Sequence, residues 1–340
     1  MKKLLSIFLP IVMLVFAIAL VNCGNDTHPT PALTNQFAFM TEAPAGSEGA
    51  YQPAIGTIKG DVFTSALVKD SGTGQALTAN FNSLILSPNG KKGVADIVNS
   101  DSTTDIAVGI LEGSQTVDIT SDPEYDAYPA FTSDSSKVIF LSSRGTTSGW
   151  DTMMANADGT GDLTNLTADS PICHHEPSMS PDGTKIAFSG HGHTEDTYFY
   201  DVYVMDANGQ NPVNLTNGSN YDIESWFPSF SPDSKKITYT REDDTGSTTT
   251  VDIYIMNADG TNPTKLTTSG TAVMSRFLSD GTITFMQYQD NNWEIYRMNS
   301  DGSKVTRLTT NTVFDGFTSE FAWWGSDSAR QVKVQRHQRH

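Results

Sequence analysis

The sequence predicts an all-β fold: a six-bladed β-propeller of four-stranded antiparallel blades, closed by strands from both termini. Three observations predict it. An apolar residue followed by threonine recurs at Leu77-Thr78, Ile119-Thr120, Leu166-Thr167, Leu215-Thr216, Leu266-Thr267 and Leu308-Thr309, spaced 42, 47, 49, 51 and 42 residues apart. Self-similarity at ~40 to 50 residues marks propeller blades. Each repeat also carries a turn of the Ser-Pro-Asp-Gly kind, followed in five of them by a short β-branched and aromatic run, and no stretch keeps helical periodicity.

The chain opens with an export signal. Lys2 and Lys3 precede an uncharged run from Leu4 to Val21, interrupted by Ser6 and Pro10, which is the layout of a signal peptide over residues 1–22. Leu20-Val21-Asn22-Cys23-Gly24 resembles a bacterial lipobox. That resemblance implies acylation of Cys23, which becomes the new N-terminus and the membrane anchor; Asn22 departs from the Gly, Ala or Ser of the pattern. Cleavage after Ala19 and an uncut anchor are the rival readings, and all three export the remainder. Residues 23–34, with Pro29 and Pro31, read as a short lipidated tether.

The propeller is expected over residues 35–327. Tight turns are read at Ser87-Pro88-Asn89-Gly90, Ser133-Asp134-Ser135, Ser180-Pro181-Asp182-Gly183, Ser231-Pro232-Asp233-Ser234, Ser279-Asp280-Gly281 and a degenerate Gly325-Ser326-Asp327. A strand follows each of the first five, as in Val138-Ile139-Phe140 or Ile237-Thr238-Tyr239. A third strand then opens with an acid: Asp105, Asp151, Asp201, Asp252 and Glu294. Asp158-Gly159, Asn208-Gly209, Asp259-Gly260 and Asp301-Gly302 turn the chain into the strand that ends at Leu-Thr. The closing blade is read as Phe321-Ala322-Trp323-Trp324 for its first strand, then Gln36 to Met40, Asp61 to Ala66, and a strand ending at Thr78. Residues 41–60, rich in Gly and Pro, are expected as a long loop over the channel mouth, and 328–340 as a basic solvated tail.

The run from Pro177 through Ser180-Pro181-Asp182-Gly183 to Phe188, followed by Asp201-Val202-Tyr203-Val204-Met205-Asp206, resembles the WD-like repeats of the TolB propeller family. The resemblance implies the fold and says little of function, because this repeat occurs in scaffold proteins, peptidase accessory domains and oligogalacturonate lyases. TolB itself carries an N-terminal α/β domain, whereas only the tether precedes the propeller here.

Composition excludes several classes. The net charge is −18, and without residues 1–22, which hold two lysines and no acid, it is −20; nucleic-acid binding through net charge is therefore disfavoured. Two cysteines make no disulfide scaffold, and an acylated Cys23 leaves Cys173 unpaired. There is no Gly-x-Ser-x-Gly elbow and no phosphate-binding glycine loop.

In a propeller the loop into each first strand and the second-to-third loop share one face around the channel mouth. By that rule one blade gathers His174, His175, Glu176, His191 and His193, a candidate site for a divalent ion, Zn or Mn. The competing reading is histidines on polar loops that face water. Tyr128, Trp150, Tyr198, Trp226, Phe227 and Trp293 are candidate recognition aromatics, with inter-blade packing as the competing reading. Arg144 and Arg241 are candidate clamps for a carboxylate. The third-strand acid recurs in every blade, Asp61 included, which favours a structural role.

These features point to a lipid-anchored, cell-envelope propeller: a monomeric, non-catalytic binding or scaffold module for an envelope protein, peptide or glycan at the channel mouth. The alternative is a metal-dependent enzyme on acidic polysaccharide, as the resemblance to oligogalacturonate lyases implies.

Overall fold

The computed structural model describes residues 16–17, 35–42, 51–59, 62–67, 69–70, 81–110, 116–144, 149–168, 170–192, 199–217, 222–310 and 314–317. Among them there is no helix, and six four-stranded antiparallel sheets form the blades of a propeller. Blade 1 runs Phe81–Leu86, Lys92–Val98, Thr104–Ile110 and Thr116–Asp118. Blade 2 runs Asp126–Phe131, Lys137–Ser142, Asp151–Asn156 and Thr164–Asn165. Blade 3 runs Ile172–Met179, Lys185–Gly192, Asp201–Asp206 and Val213–Asn214. Blade 4 runs Ile223–Phe230, Lys236–Asp243, Thr250–Asn257 and Thr264–Lys265. Blade 5 runs Ala272–Phe277, Ile283–Gln289, Asn292–Met298 and Thr306–Arg307. Outside the blades, Phe16–Ala17 makes a two-residue ladder with Lys69–Asp70.

The closing blade differs from the sequence expectation. Its order is Asp315–Gly316, Gln36–Glu42, Tyr51–Lys59, Val62–Leu67. Much of the expected mouth loop is thus the third strand, and the segment from Val62 is the fourth strand rather than the third. The expected strands at 321–324 and ending at Thr78 lie outside the described residues. Pro53 and Gly56 disguise the third strand, yet Gly56 has a packing reason. A Cβ there would sit 2.8 Å from both the Phe37 and Phe63 rings, which stack across the strand with centroids 6.0 Å apart. Cross-strand aromatics lying over a bare backbone explain a glycine inside a strand.

The blades are joined by apolar seams. Val94, Ile106 and Val108 pack on Phe131, Val138 and Phe140, and Ala187, Val202 and Val204 on Phe230, Ile237 and Tyr239. Phe37, Phe39, Phe314 and Phe317 link Met286 and Ile295 to Leu84 and Ala95, which closes the ring. Burying such side chains is worth ~1.5–3 kcal/mol each, and closure leaves no first or last blade with an open apolar face.

The repeated acid and the repeated Leu-Thr are two halves of one contact. The threonine hydroxyl donates to the acid: Thr216 to Asp201 at 2.6 Å, Thr267 to Asp252 at 2.8 Å, Thr309 to Glu294 at 2.5 Å, Thr120 to Asp105 at 3.1 Å and Thr167 to Asp151 at 3.2 Å. The same oxygen accepts the N–H of the residue after the acid, at 2.8 to 3.0 Å, in blades 1 to 5. This lock pins the short fourth strand to the third and accounts for the motif without chemistry.

Candidate functional site

The first strands of blades 1 to 5 each slip register against their neighbour: near Asn82, between Ala127 and Ala130, His175 and Ser178, Trp226 and Ser229, and Val273 and Arg276. In four of them the bulge puts a bulky residue in left-handed backbone: Tyr128 (φ 52°), Glu176 (48°), Phe227 (53°) and Met274 (55°). Such a conformation costs ~1–2 kcal/mol per residue, and a bulge serves to re-aim a side chain. Here the four residues line a central cavity of about 220 Å³. Neighbouring blades hold them in place: Phe227 N–H donates to Ser189 Oγ at 3.1 Å and Met274 N–H to Thr240 Oγ1 at 3.0 Å. Prolines 129, 177 and 228 follow three of the bulged residues, where the ladder is already broken and no donor is lost.

Arg276 lines the same cavity. Aligned by the bulge, it occupies the position held by Ile85, Ala130, Ser178 and Ser229 in the first strands of blades 1 to 4. Its guanidinium lies over the Phe317 ring, 4.9 Å from the centroid, and the ion pairs among the described residues are all made by other cations. Burial brings its pKa down to about 10, so it is charged at neutral pH. Desolvating a cation costs several kcal/mol, and a cation–π contact returns only ~0.5–2 kcal/mol. The Glu176 carboxylate is otherwise engaged, accepting from Ser189 Oγ at 2.5 Å and Phe227 N–H at 3.3 Å. The cavity thus combines an aromatic and thioether wall with one under-compensated positive charge.

The sequence-derived recognition residues divide. Tyr128 and Phe227 reach the cavity from within their first strands. Trp226 and Trp293 are corrections: they are 5% and 8% exposed and belong to the apolar seam around the closing blade. Trp150 is partly exposed and meets Tyr125 edge-to-face at 5.4 Å, while Tyr198 lies outside the described residues. Arg144 is committed to Asp122 at 2.5 Å and Asp126 at 3.1 Å. Arg241 pairs with Asp243 at 3.5 Å and lies over Tyr254. Neither stands at the cavity; Arg276, which sequence reasoning missed, does. Its signal was a lone cation at a repeat position otherwise filled by neutral side chains.

The histidine cluster is split by strand alternation. His174 faces blade 2: it is 1% exposed, stacks on Phe188 at 4.1 Å, and is bonded to Ser170 Oγ at 2.9 Å and Thr152 Oγ1 at 3.4 Å. Glu176 belongs to the channel, and His193 lies outside the described residues. The five expected ligands therefore do not converge. What does converge is Cys173, His175 and His191, with one ligand atom of each within 4.8 Å of the others. Cys173 and His175 are two apart on one strand, and His191 is paired directly opposite Cys173. Tyr200 sits edge-on to both imidazoles at 5.0 Å. Burial, with smaller contributions from His191 and His174, lowers the His175 pKa to about 3, and burial raises that of the Cys173 thiol. A raised thiol pKa is the opposite of what an activated nucleophile needs.

A family model described as the TolB beta propeller domain matches residues 147–338. No curated protein matches the chain. Among solved structures, a putative TolB from Agrobacterium tumefaciens aligns with a TM-score of 0.59 at 16% identity, covering 84% of this chain and 90% of that one. TolB from Acinetobacter baumannii aligns with a TM-score of 0.50 at 16% identity, over 77% of this chain and 66% of that one. An oligogalacturonate lyase from Vibrio parahaemolyticus aligns with a TM-score of 0.49 at 11% identity, over 81% and 73%. At these identities the likeness is one of fold.

Proposed function

This chain belongs to the TolB β-propeller domain family, and on that premise we propose that it is an exported, lipid-anchored binding module whose channel receives a carboxylate-bearing group of an envelope protein, peptide or glycan. A binding or scaffold role in general is what the fold supports. The finer reading rests on one observation: Arg276 is a desolvated cation without a carboxylate partner among the described residues, in a cavity of about 220 Å³ walled by Tyr128, Phe227 and Met274. A carboxylate entering there would gain a charge-assisted hydrogen bond worth ~1.5–3 kcal/mol and apolar contact from the strained ring. The net charge of −18 repels anions at long range, so selectivity comes from whatever is narrow enough to reach the buried cation.

The export signal over residues 1–22 and the lipobox-like Cys23 support anchoring at the cell envelope, and two or more acyl chains give stable attachment. A metal-dependent enzyme on acidic polysaccharide remains the second reading, because Arg276 also suits a uronate. Turnover separates the two: an oligouronate that binds and is recovered intact fits a binding module, and one that is cleaved fits the enzyme.

The test is calorimetric titration of the full chain in detergent with acidic peptides, amidated neutral peptides, oligouronates and neutral oligosaccharides. Arg276→Gln should weaken a carboxylate-bearing ligand by about 10- to 150-fold, the equivalent of the hydrogen bond above at 1.4 kcal/mol per decade. Lys185→Gln, which alters an exposed pair with Asp206 outside the channel, should leave affinity unchanged. Preference for the neutral ligands, or equal binding by Arg276→Gln, would remove the basis of the proposal.

A further inference from the structure

We propose that Cys173, His175 and His191 form a thiolate-imidazole site for one zinc ion at the rim of blade 3, independent of the channel. The arrangement comes from strand pairing. Cys173 and His175 share one face of Ile172–Met179, and His191 projects from the same face of Lys185–Gly192 opposite Cys173. Cys173 Sγ is 3.6 Å from His175 Nε2, and all three ligand atoms lie within 4.8 Å. Tetrahedral zinc with Zn–N of ~2.0–2.1 Å and Zn–S of ~2.3 Å sets neighbouring ligand atoms about 3.4 to 3.6 Å apart. One pair is already at that spacing, and the others need a side-chain shift of at most about 1.4 Å to reach it.

The surroundings fit a metal site in a second respect. His191 Nδ1 lies 2.7 Å from the Gly192 carbonyl. A carbonyl only accepts, so Nδ1 carries the proton and Nε2 offers its lone pair. Metal-bound imidazoles ordinarily donate their other N–H to a carbonyl or carboxylate in this way. Tyr200 hydroxyl, 3.4 Å from His175 Nε2, stands beside the site and leaves the fourth position to itself, water or a ligand atom.

Ligand softness decides the ion. The sequence alone suggested histidines and a glutamate, which admits Mn; the structure replaces that glutamate with a thiolate, which favours zinc or copper over manganese. Zinc is assigned because three mixed N and S ligands with an open fourth position are its ordinary arrangement. On binding, the Cys173 S–H bond breaks, its proton passes to solvent and three coordinate bonds form, with no change of oxidation state.

The experiment is metal loading of the untagged full chain in detergent with zinc, copper and manganese in parallel, read by elemental mass spectrometry after gel filtration. A cobalt-loaded sample is read by absorption for thiolate-to-cobalt charge transfer. Expected are one tightly held zinc per chain, a thiolate band with cobalt, and a melting temperature raised by zinc. Cys173→Ser and His191→Gln should each weaken zinc at least tenfold and abolish the zinc-dependent rise, while His174→Gln keeps both. Should the first two variants not fold, the thiolate band in the wild-type chain decides alone. Retention of manganese or copper in place of zinc, stoichiometric zinc surviving in folded Cys173→Ser, no bound metal, or a cobalt spectrum without a thiolate band overturns the assignment. None of these readouts involves Arg276, so either proposal can fail without the other.

Discussion

Replacing Gly209 by alanine tests whether the repeated Asn-Gly and Asp-Gly turns are only turns or also the contact that sets the spacing between blades. Gly209 has φ +85°, and a Cβ there would overlap the backbone carbonyl of Leu166, the Leu of the preceding blade's Leu-Thr pair. The relation recurs: at Gly260 and Gly302 the Cβ would lie 3.0 Å from Leu215 O and 2.9 Å from Leu266 O. Gly281 is the control, because its φ is +81° and nothing lies within 4 Å of an added Cβ. Both substitutions incur the left-handed backbone cost of ~1–2 kcal/mol, and both recover ~0.4–1 kcal/mol from a less flexible unfolded chain. Gly281→Ala should therefore cost ~0–1.5 kcal/mol. Gly209→Ala adds the overpacking penalty of ~1–3 kcal/mol, and a backbone carbonyl cannot swing aside as a side chain can. Urea unfolding followed by tryptophan fluorescence, with midpoints converted at a common slope, measures the difference. Equal losses for the two variants would refute the claim that blades meet through this glycine.

Thr216→Val keeps the shape of the side chain but removes the acceptor for Val202 N–H and the donor to Asp201; it should cost ~1–3 kcal/mol in urea unfolding. Gly56→Ala should loosen the closing blade, since its Cβ meets two rings at 2.8 Å, and hydrogen exchange should quicken over Gln36–Glu42 before it does in blades 2 to 4. Acid should destabilise the chain through its turns. Asp134, held by Ser136 N–H and the Thr132 and Ser136 hydroxyls, has its pKa lowered to about 2, and Asp182, Asp233, Asp259 and Asp301 are also lowered by turn hydrogen bonds. A depressed folded pKa gives stability that is present above the unfolded value near 3.8 and lost as pH falls toward 2. Melting temperature should drop across that window, and Asp134→Asn should flatten part of the slope.

Blades 1 to 5 were legible because their signals are local and repeated: the turn residues, the acid and the Leu-Thr pair each act within a few tens of residues. The closing blade was misread at Tyr51–Lys59 because Gly56 answers to Phe37 and Phe63, residues on other strands. Trp226 and Trp293 could not be placed from sequence, since a tryptophan in a strand faces core or rim according to register. The same limit scattered the metal candidates. Register puts Cys173, His175 and His191 on one face and His174 on the other, and the sequence carries no sign of which residue lies opposite Cys173. The channel was within reach, because aligning the repeats isolates Arg276 and the recurring prolines after the bulge.

Photo-crosslinking in living cells asks whether a partner enters the channel, with p-benzoylphenylalanine placed in the full chain at Phe227 on the channel ring and, separately, at Val213, 56% exposed on an outer strand. A covalent adduct is expected from position 227, disappearing when Arg276→Gln is added, and none from 213. An adduct from 213 alone, or one from 227 that persists without Arg276, would contradict this expectation.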